Sequence, residues 1–143
     1  MSWRRLLTPR LPKIVIDTNT FVSAVLNVSS VPAQAVDKAL RTSVVLKSLE
    51  TWQELEEVLL RPKFERYRAS QFRQDYLQFL IEALELVSVM TEVSVCRHAK
   101  DNKFLALALD GQADAIITGD ADLLVLHPFQ DVSILSPAAY LAL

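Results

Sequence analysis

Apolar positions recur along this chain with two periods, and the changes of period mark the element boundaries. Lys13-Ile14-Val15-Ile16-Asp17 is a β-branched run without polar alternation, which predicts a strand buried on both faces, as in a parallel sheet, ending at an acid. Phe21, Val22, Val25 and Leu26 then fall at helical spacing, with Thr18, Asn19 or Thr20 expected as the cap. Ser29-Ser30-Val31-Pro32 opens a second helix over 33–41, where the missing N–H of Pro32 costs nothing. Val44-Val45-Leu46 reads as a second strand. Leu49, Trp52, Leu55, Val58 and Leu59 mark one face of a helix over 48–60, and Phe72, Tyr76, Phe79, Leu80 and Ala83 mark another over 70–84.

The middle of the chain is ambiguous. Leu86 to Val89 and Val93 to Val95 are both strand-like, and one of them is expected in the sheet. Phe104 to Leu109 predicts a helix capped by Asp101 and closed by Gly111. Ala113 to Thr118 is a strand followed by Gly119-Asp120-Ala121-Asp122 and a short helical turn. Val132 to Leu135 is a last strand, and Ser136-Pro137 starts a C-terminal helix over 138–143. Strands alternating with helices in this way predict an α/β fold around a parallel sheet.

Composition narrows the class. A chain of 143 residues with 51% apolar and 22% charged residues, two Gly and six Pro is neither disordered nor collagenous, and its length suits one domain over residues 13–143. Its single Cys excludes an internal disulfide. The net charge of −2 excludes a global positive field for polyanions, so any nucleic-acid contact must be local. Residues 1–12 carry Arg4, Arg5 and Arg10, interrupted by Pro9 and Pro12, and read as a basic, flexible extension rather than a signal peptide. No run of 18 apolar residues occurs, so the expectation is a cytoplasmic protein with no membrane span. A positive mean hydropathy points to an apolar face covered by a second copy.

The chemistry lies in the acids. The strands ending at Asp17 and Thr118 place carboxylates just past their C-terminal ends, where open parallel sheets bind ligands. Asp101 and Glu54 reach the same edge if the crossovers are right-handed. Carboxylates so close together repel unless a cation neutralises them, and hard oxygen donors suit Mg²⁺ or Mn²⁺. Such a site can activate water and stabilise the leaving oxygen of a phosphodiester.

Four blocks in order carry a resemblance: Ile14-Val15-Ile16-Asp17-Thr18-Asn19; Glu54-Leu55 before Val58-Leu59 and Arg61-Pro62-Lys63-Phe64; Asp101-Asn102-Lys103-Phe104-Leu105; and Thr118-Gly119-Asp120-Ala121-Asp122-Leu123-Leu124. Over about residues 13–140 the chain resembles the PIN-domain family, in particular its bacterial branch of toxin–antitoxin toxins. The resemblance implies a three-layer α/β/α sandwich with a central parallel sheet, and a Mg²⁺- or Mn²⁺-dependent endoribonuclease. It implies Asp17, Glu54, Asp101 and Asp120 as catalytic, metal-binding acids, with Asp122 as a fifth ligand and Thr18, Asn19 and Thr118 as supporting polar groups. An RNA substrate, a small antitoxin protein and a homodimer or higher homo-oligomer are the implied partners. The chain departs from that branch at Arg97-His98-Ala99-Lys100, where Arg-Asp-Pro is usual, so His98 replaces an extra acid.

Blander readings stand beside these. Asp17 and Asp101 suit helix caps, Glu54 resembles the solvated Glu56 and Glu57, and Gly-Asp-Ala-Asp suits a turn. Arg61, Lys63, Arg66 and Arg68, with Arg73, form the densest basic stretch; they are candidates for RNA phosphates, against an ordinary solvated face. Cys96 and His98 are too few for a structural metal site. The rival function is a catalytically weak or inactive RNA- or protein-binding domain of the same fold. Phosphatase and receiver readings fit less well, because Asp17-Thr18-Asn19 lacks their second acid.

Overall fold

The computed structural model describes residues 10–143. Strands β1 (Lys13–Ile16), β2 (Val44–Lys47), β3 (Glu85–Leu86), β4 (Ala115–Ile117) and β5 (Ser133–Leu135) form one parallel sheet in the order β3-β2-β1-β4-β5. Helices α1 (Thr18–Leu26), α2 (Val31–Thr42), α3 (Leu49–Leu59), α4 (Ser70–Ala83), α5 (Asn102–Asp110), α6 (Ala121–Leu124) and α7 (Pro137–Leu141) complete it.

The continuous apolar runs of the strands follow from burial on both faces. Ile14 and Ile16 join Phe21, Val25, Leu55, Leu59 and Leu80 in one cluster, while Val15, between them, joins Leu105, Leu107 and Ile116 in the other. Fully buried side chains such as Ile116 and Ile117 each contribute about 1.5–3 kcal/mol by leaving water. The path β1 to β2 to β3 runs in one direction, and β4 then returns to pair on the other side of β1. Right-handed crossovers therefore set α1 to α4 on one face and α5 on the opposite one, the three-layer arrangement expected. The reversal leaves a crevice between the carboxyl ends of β1 and β4.

Local chemistry fixes the element starts. Ser30 Oγ accepts from Ala33 N at 3.2 Å, Ser48 and Thr51 form a reciprocal capping box, and Ser136 Oγ accepts from Ala139 N at 3.1 Å. The expected caps of α1 are corrected. Asp17, not Thr18, Asn19 or Thr20, is the N-cap, and its Oδ1 accepts from Thr20 N at 2.9 Å.

The ambiguous stretch resolves into the two-residue β3, and Val93 to Val95 is not a strand. Instead Val95 N and Cys96 N donate to Asn102 Oδ1. The same loop is tied to α5 by Asp110, which accepts from Met90 N, Thr91 N and the Thr91 hydroxyl. These bonds favour the ionised form and hold the Asp110 carboxyl below the usual 3.8. A lowered carboxyl stabilises above its unfolded value, and that contribution is lost as pH falls through the folded one. Amide protection at Met90 and Thr91 is thus expected to hold near neutrality and to fall on acidification below the usual carboxyl range. Asp110→Ala should lose it at all pH, which hydrogen exchange would reveal.

Gly111 closes α5 as expected, but with φ −83° it supplies no left-handed residue; that role falls to Gln112, φ 54°. Glycine is required at 111 by close approach. A Cβ there would lie 2.5 Å from Leu46 Cδ1 and 2.9 Å from the Leu107 carbonyl oxygen. Gly111→Ala is expected to cost about 1–3 kcal/mol, read as a lower urea midpoint with an unchanged slope.

Of the basic extension assigned to residues 1–12, residues 1–9 lie outside the described residues. Arg10 pairs with Asp114 at 3.2 Å, and the Pro12 carbonyl accepts from Val44 N at 2.8 Å. Among the described residues no helix is long and apolar enough to cross a membrane.

Candidate active site

The register between β1 and β4 builds the centre of the site. Ile16 lies opposite Ile117, so the next residues, Asp17 and Thr118, emerge side by side at the crevice. The Thr118 hydroxyl donates to Asp17 Oδ2 at 2.5 Å and accepts from Asp120 N at 2.9 Å, while Asp120 Oδ1 caps α6 by accepting from Asp122 N at 2.9 Å. A chain of hydrogen bonds therefore fixes the carboxylates of Asp17 and Asp120 through the wholly buried Thr118. Asp17 is a cap and a site residue together, because its two oxygens serve different partners.

Asp101 ends a 3₁₀ turn, Ala99–Asp101, ahead of α5. Its backbone is already helical, φ −84° and ψ −15°, and its side chain makes no capping bond, which corrects the expected cap. Its Oδ2 is buried without a partner. Glu54 arrives from α3 and Asp122 from the first turn of α6. Asp17, Thr18, Asn19, Glu54, Asp101, Asp120 and Asp122 all line one open groove of about 650 Å³. Thr118 supports it from beneath.

Burial raises the Asp17 carboxyl above its ordinary value, opposed by the bonds from Thr118 and Thr20, with Asp120 adding repulsion. Asp101 is raised by burial and by Asp120, with Lys100 and Lys103 pulling the other way. Cys96 is pushed up by burial and by Asp101, Asp120 and Asp122, so its thiol is a poor nucleophile.

The acids divide by partner. Glu57 pairs with Arg61 at 2.9 Å, Asp122 with His98 at 3.3 Å and Arg97 at 4.0 Å, and Glu54 Oε2 with Lys103 Nζ. Asp17, Asp101 and Asp120 have no Lys, Arg or His at ion-pair distance among the described residues. No three acidic, His or Cys side chains among those residues already converge at metal-ligand spacing.

The donor set nevertheless suits a hard divalent cation. Its groups are all oxygens, and three of them, Thr18 Oγ1, Glu54 Oε2 and Asp101 Oδ2, are buried without a hydrogen-bond partner, Glu54 Oε2 having only its ion pair with Lys103. A cation there would relieve the repulsion that raises Asp17 and Asp101.

The basic candidates separate. Arg61 lines the groove mouth. Lys63 and Arg66 are exposed, each over its neighbouring ring, Phe64 or Tyr67. Arg68 donates to the Val25 carbonyl and stacks on Phe72. Arg73 is not on a solvated face at all: it is 1% exposed and serves the interior. Sequence reasoning missed Lys100 and Lys103 at the groove; the only signal was the place of Lys103 in the third block and of Lys100 just before it.

The chain belongs to the PIN-domain family, whose model matches residues 13–122. Members of that family are in general nucleases and typically depend on divalent metals. An uncharacterised protein of Methanocaldococcus jannaschii is 35% identical over 120 residues, 80% of this chain and 75% of that one. The fold also matches a chain of VapBC2 from Rickettsia felis, solved bound to a DNA fragment from its promoter, with TM-score 0.56, 12% identity, and 87% of this chain and 98% of that chain covered. A chain of DNA-bound VapBC from Salmonella typhimurium gives TM-score 0.56, 15% identity, and 89% and 99% coverage.

Proposed function

We propose that this protein is a Mg²⁺- or Mn²⁺-dependent endoribonuclease and the toxin of a toxin–antitoxin pair, acting in the cytoplasm. The observation that carries the reading is the inner trio Asp17, Asp101 and Asp120, carboxylates at the β1–β4 crevice without a cationic partner among the described residues. Carboxylates crowded together without a counter-charge repel one another, and a divalent cation is what reconciles three of them. That cation supplies water activation and charge stabilisation at a phosphodiester.

The residues themselves do the positioning. Thr118 and Thr20 fix the two oxygens of Asp17, and Asp120 is held by Thr118 and by its bond to Asp122 N. Asp101 offers its free oxygen, and Glu54 completes the set. His98 orients Asp122 at the rim. Arg61, at the mouth, holds Glu57 only through an exposed pair of little net worth, so it is free to exchange that partner for an RNA phosphate. Lys63 and Arg66 extend the positive flank.

Purified protein is expected to cut single-stranded RNA with Mn²⁺ or Mg²⁺ and to stop in EDTA, read on a gel with an end-labelled oligonucleotide. Binding without metal-stimulated cleavage would instead establish the inactive binding domain. The VapBC complexes support an antitoxin partner, to be sought by co-purification with the product of the adjacent gene.

A further inference from the structure

Three acids of the groove face basic side chains, and these are not alike. The Arg61 side chain is 44% exposed and that of His98 58%, so both pairs sit in water and exchange freely. The Lys103 side chain is only 8% exposed. An ammonium so withdrawn from water persists only where its charge and donors are met. Here the charge is met by an ion pair with Glu54 Oε2 and one donor by the Lys100 carbonyl, with the Phe104 ring 5.1 Å away. Lys103 is thus built into the groove wall, on the first turn of the helix that begins just after Asp101.

We propose that Lys103 is the internal counter-ion of this groove: it occupies Glu54 in the metal-free protein and sets the divalent-cation concentration at which the site loads. The inference rests on the reading that these acids hold a divalent cation. Its physical basis is competition. Glu54 cannot give its oxygen fully to a cation while it neutralises a buried ammonium, and losing Glu54 would leave that ammonium buried and unpaired. Loading therefore requires Lys103 to leave its contacts on Glu54 and Lys100. The inner trio, which has no such partner among the described residues, needs no exchange. Lys103 is a positioning residue acting through Glu54.

The test is a double-mutant cycle read by Mn²⁺ affinity, with no nuclease assay. EDTA-stripped wild type, Lys103→Met, Glu54→Gln and the double variant are titrated with Mn²⁺ by calorimetry and by the loss of free-ion electron paramagnetic resonance signal. Methionine keeps an apolar stem against Phe104; Lys103→Gln is the second variant should Lys103→Met unfold. The expected result is a Kd about tenfold lower for Lys103→Met, and a change under about twofold for the same substitution in the Glu54→Gln background. Equal gains in both backgrounds would mean only a general field effect and would overturn the proposal, as would an unchanged Kd in Lys103→Met. In those cases Mn²⁺ binding by wild type leaves the metal-nuclease reading standing. Failure of every protein to bind Mn²⁺ would sink both.

Discussion

Asp101→Asn is expected to abolish RNA cleavage while raising the melting temperature measured without divalent cations. The two effects have one origin. Asp101 is buried beside Asp120, its Oδ2 is unpartnered, and its carboxyl is raised above the ordinary value by burial first and Asp120 second. A raised carboxyl stabilises the fold below its unfolded value, and that contribution is lost as pH rises through the folded one. Near neutrality the ionised group is therefore a cost that Asn never incurs. Asn fits the same space and its amide can still donate to Asp120, the side-chain partner of Asp101, so a rise of at least about 2 °C is expected by differential scanning fluorimetry. The gain should vanish when wild type is saturated with Mn²⁺. Groups that only support a metal ligand typically matter 10–100-fold, so loss of a ligand itself should exceed about 100-fold. A variant that cleaves normally would remove Asp101 from the site.

The second large effect lies away from the groove. Arg73→Met is expected to cost about 3 kcal/mol, a fall of several degrees in thermal unfolding followed by circular dichroism. The Arg73 guanidinium donates to the carbonyls of Leu59 at 2.7 Å, Arg61 at 3.2 Å and Arg68 at 3.0 Å, and pairs with Glu65 at 2.7 Å. Leu59 ends α3, so one carbonyl that its own helix cannot satisfy is capped from α4. Glu65 is exposed enough to fall back on water, which keeps the cost at the low end of that for a broken buried pair. Arg73→Lys should rescue little, since one ammonium cannot reach acceptors spread around a planar fork. Because the same guanidinium holds the 61–68 segment, RNA affinity should drop alongside stability in Arg73→Met.

These residues show what was legible in the sequence and what was not. Ile14, Val15 and Ile16 revealed a sheet buried on both sides because every position is apolar, and the acid after them revealed the edge that matters. Asp101 misled as a cap: a capping aspartate needs extended backbone, and only the structure reveals the 3₁₀ turn that already makes it helical. Asp17, with ψ 163°, had the right backbone and does cap. Leu86 to Val89 looked like a strand, yet Leu86 is 64% exposed and pairing with β2 ends there. Arg73 could not be told from Arg66 by residue type, because burial of a guanidinium depends on carbonyls brought in from other segments. Lys103 was visible in the third block, but its role needs Glu54, which approaches from α3 on the far side of a crossover.

The bond from Thr118 to Asp17 joins residues separated by 101 positions. During synthesis at about 5–20 residues per second, β1 therefore waits roughly 5–20 s for the neighbour that completes its acidic edge. Under the proposed activity, a nascent chain has no cutting edge until the segment carrying Thr118 and Asp120 has been made. The message is exposed to its product only after translation has passed the last acid.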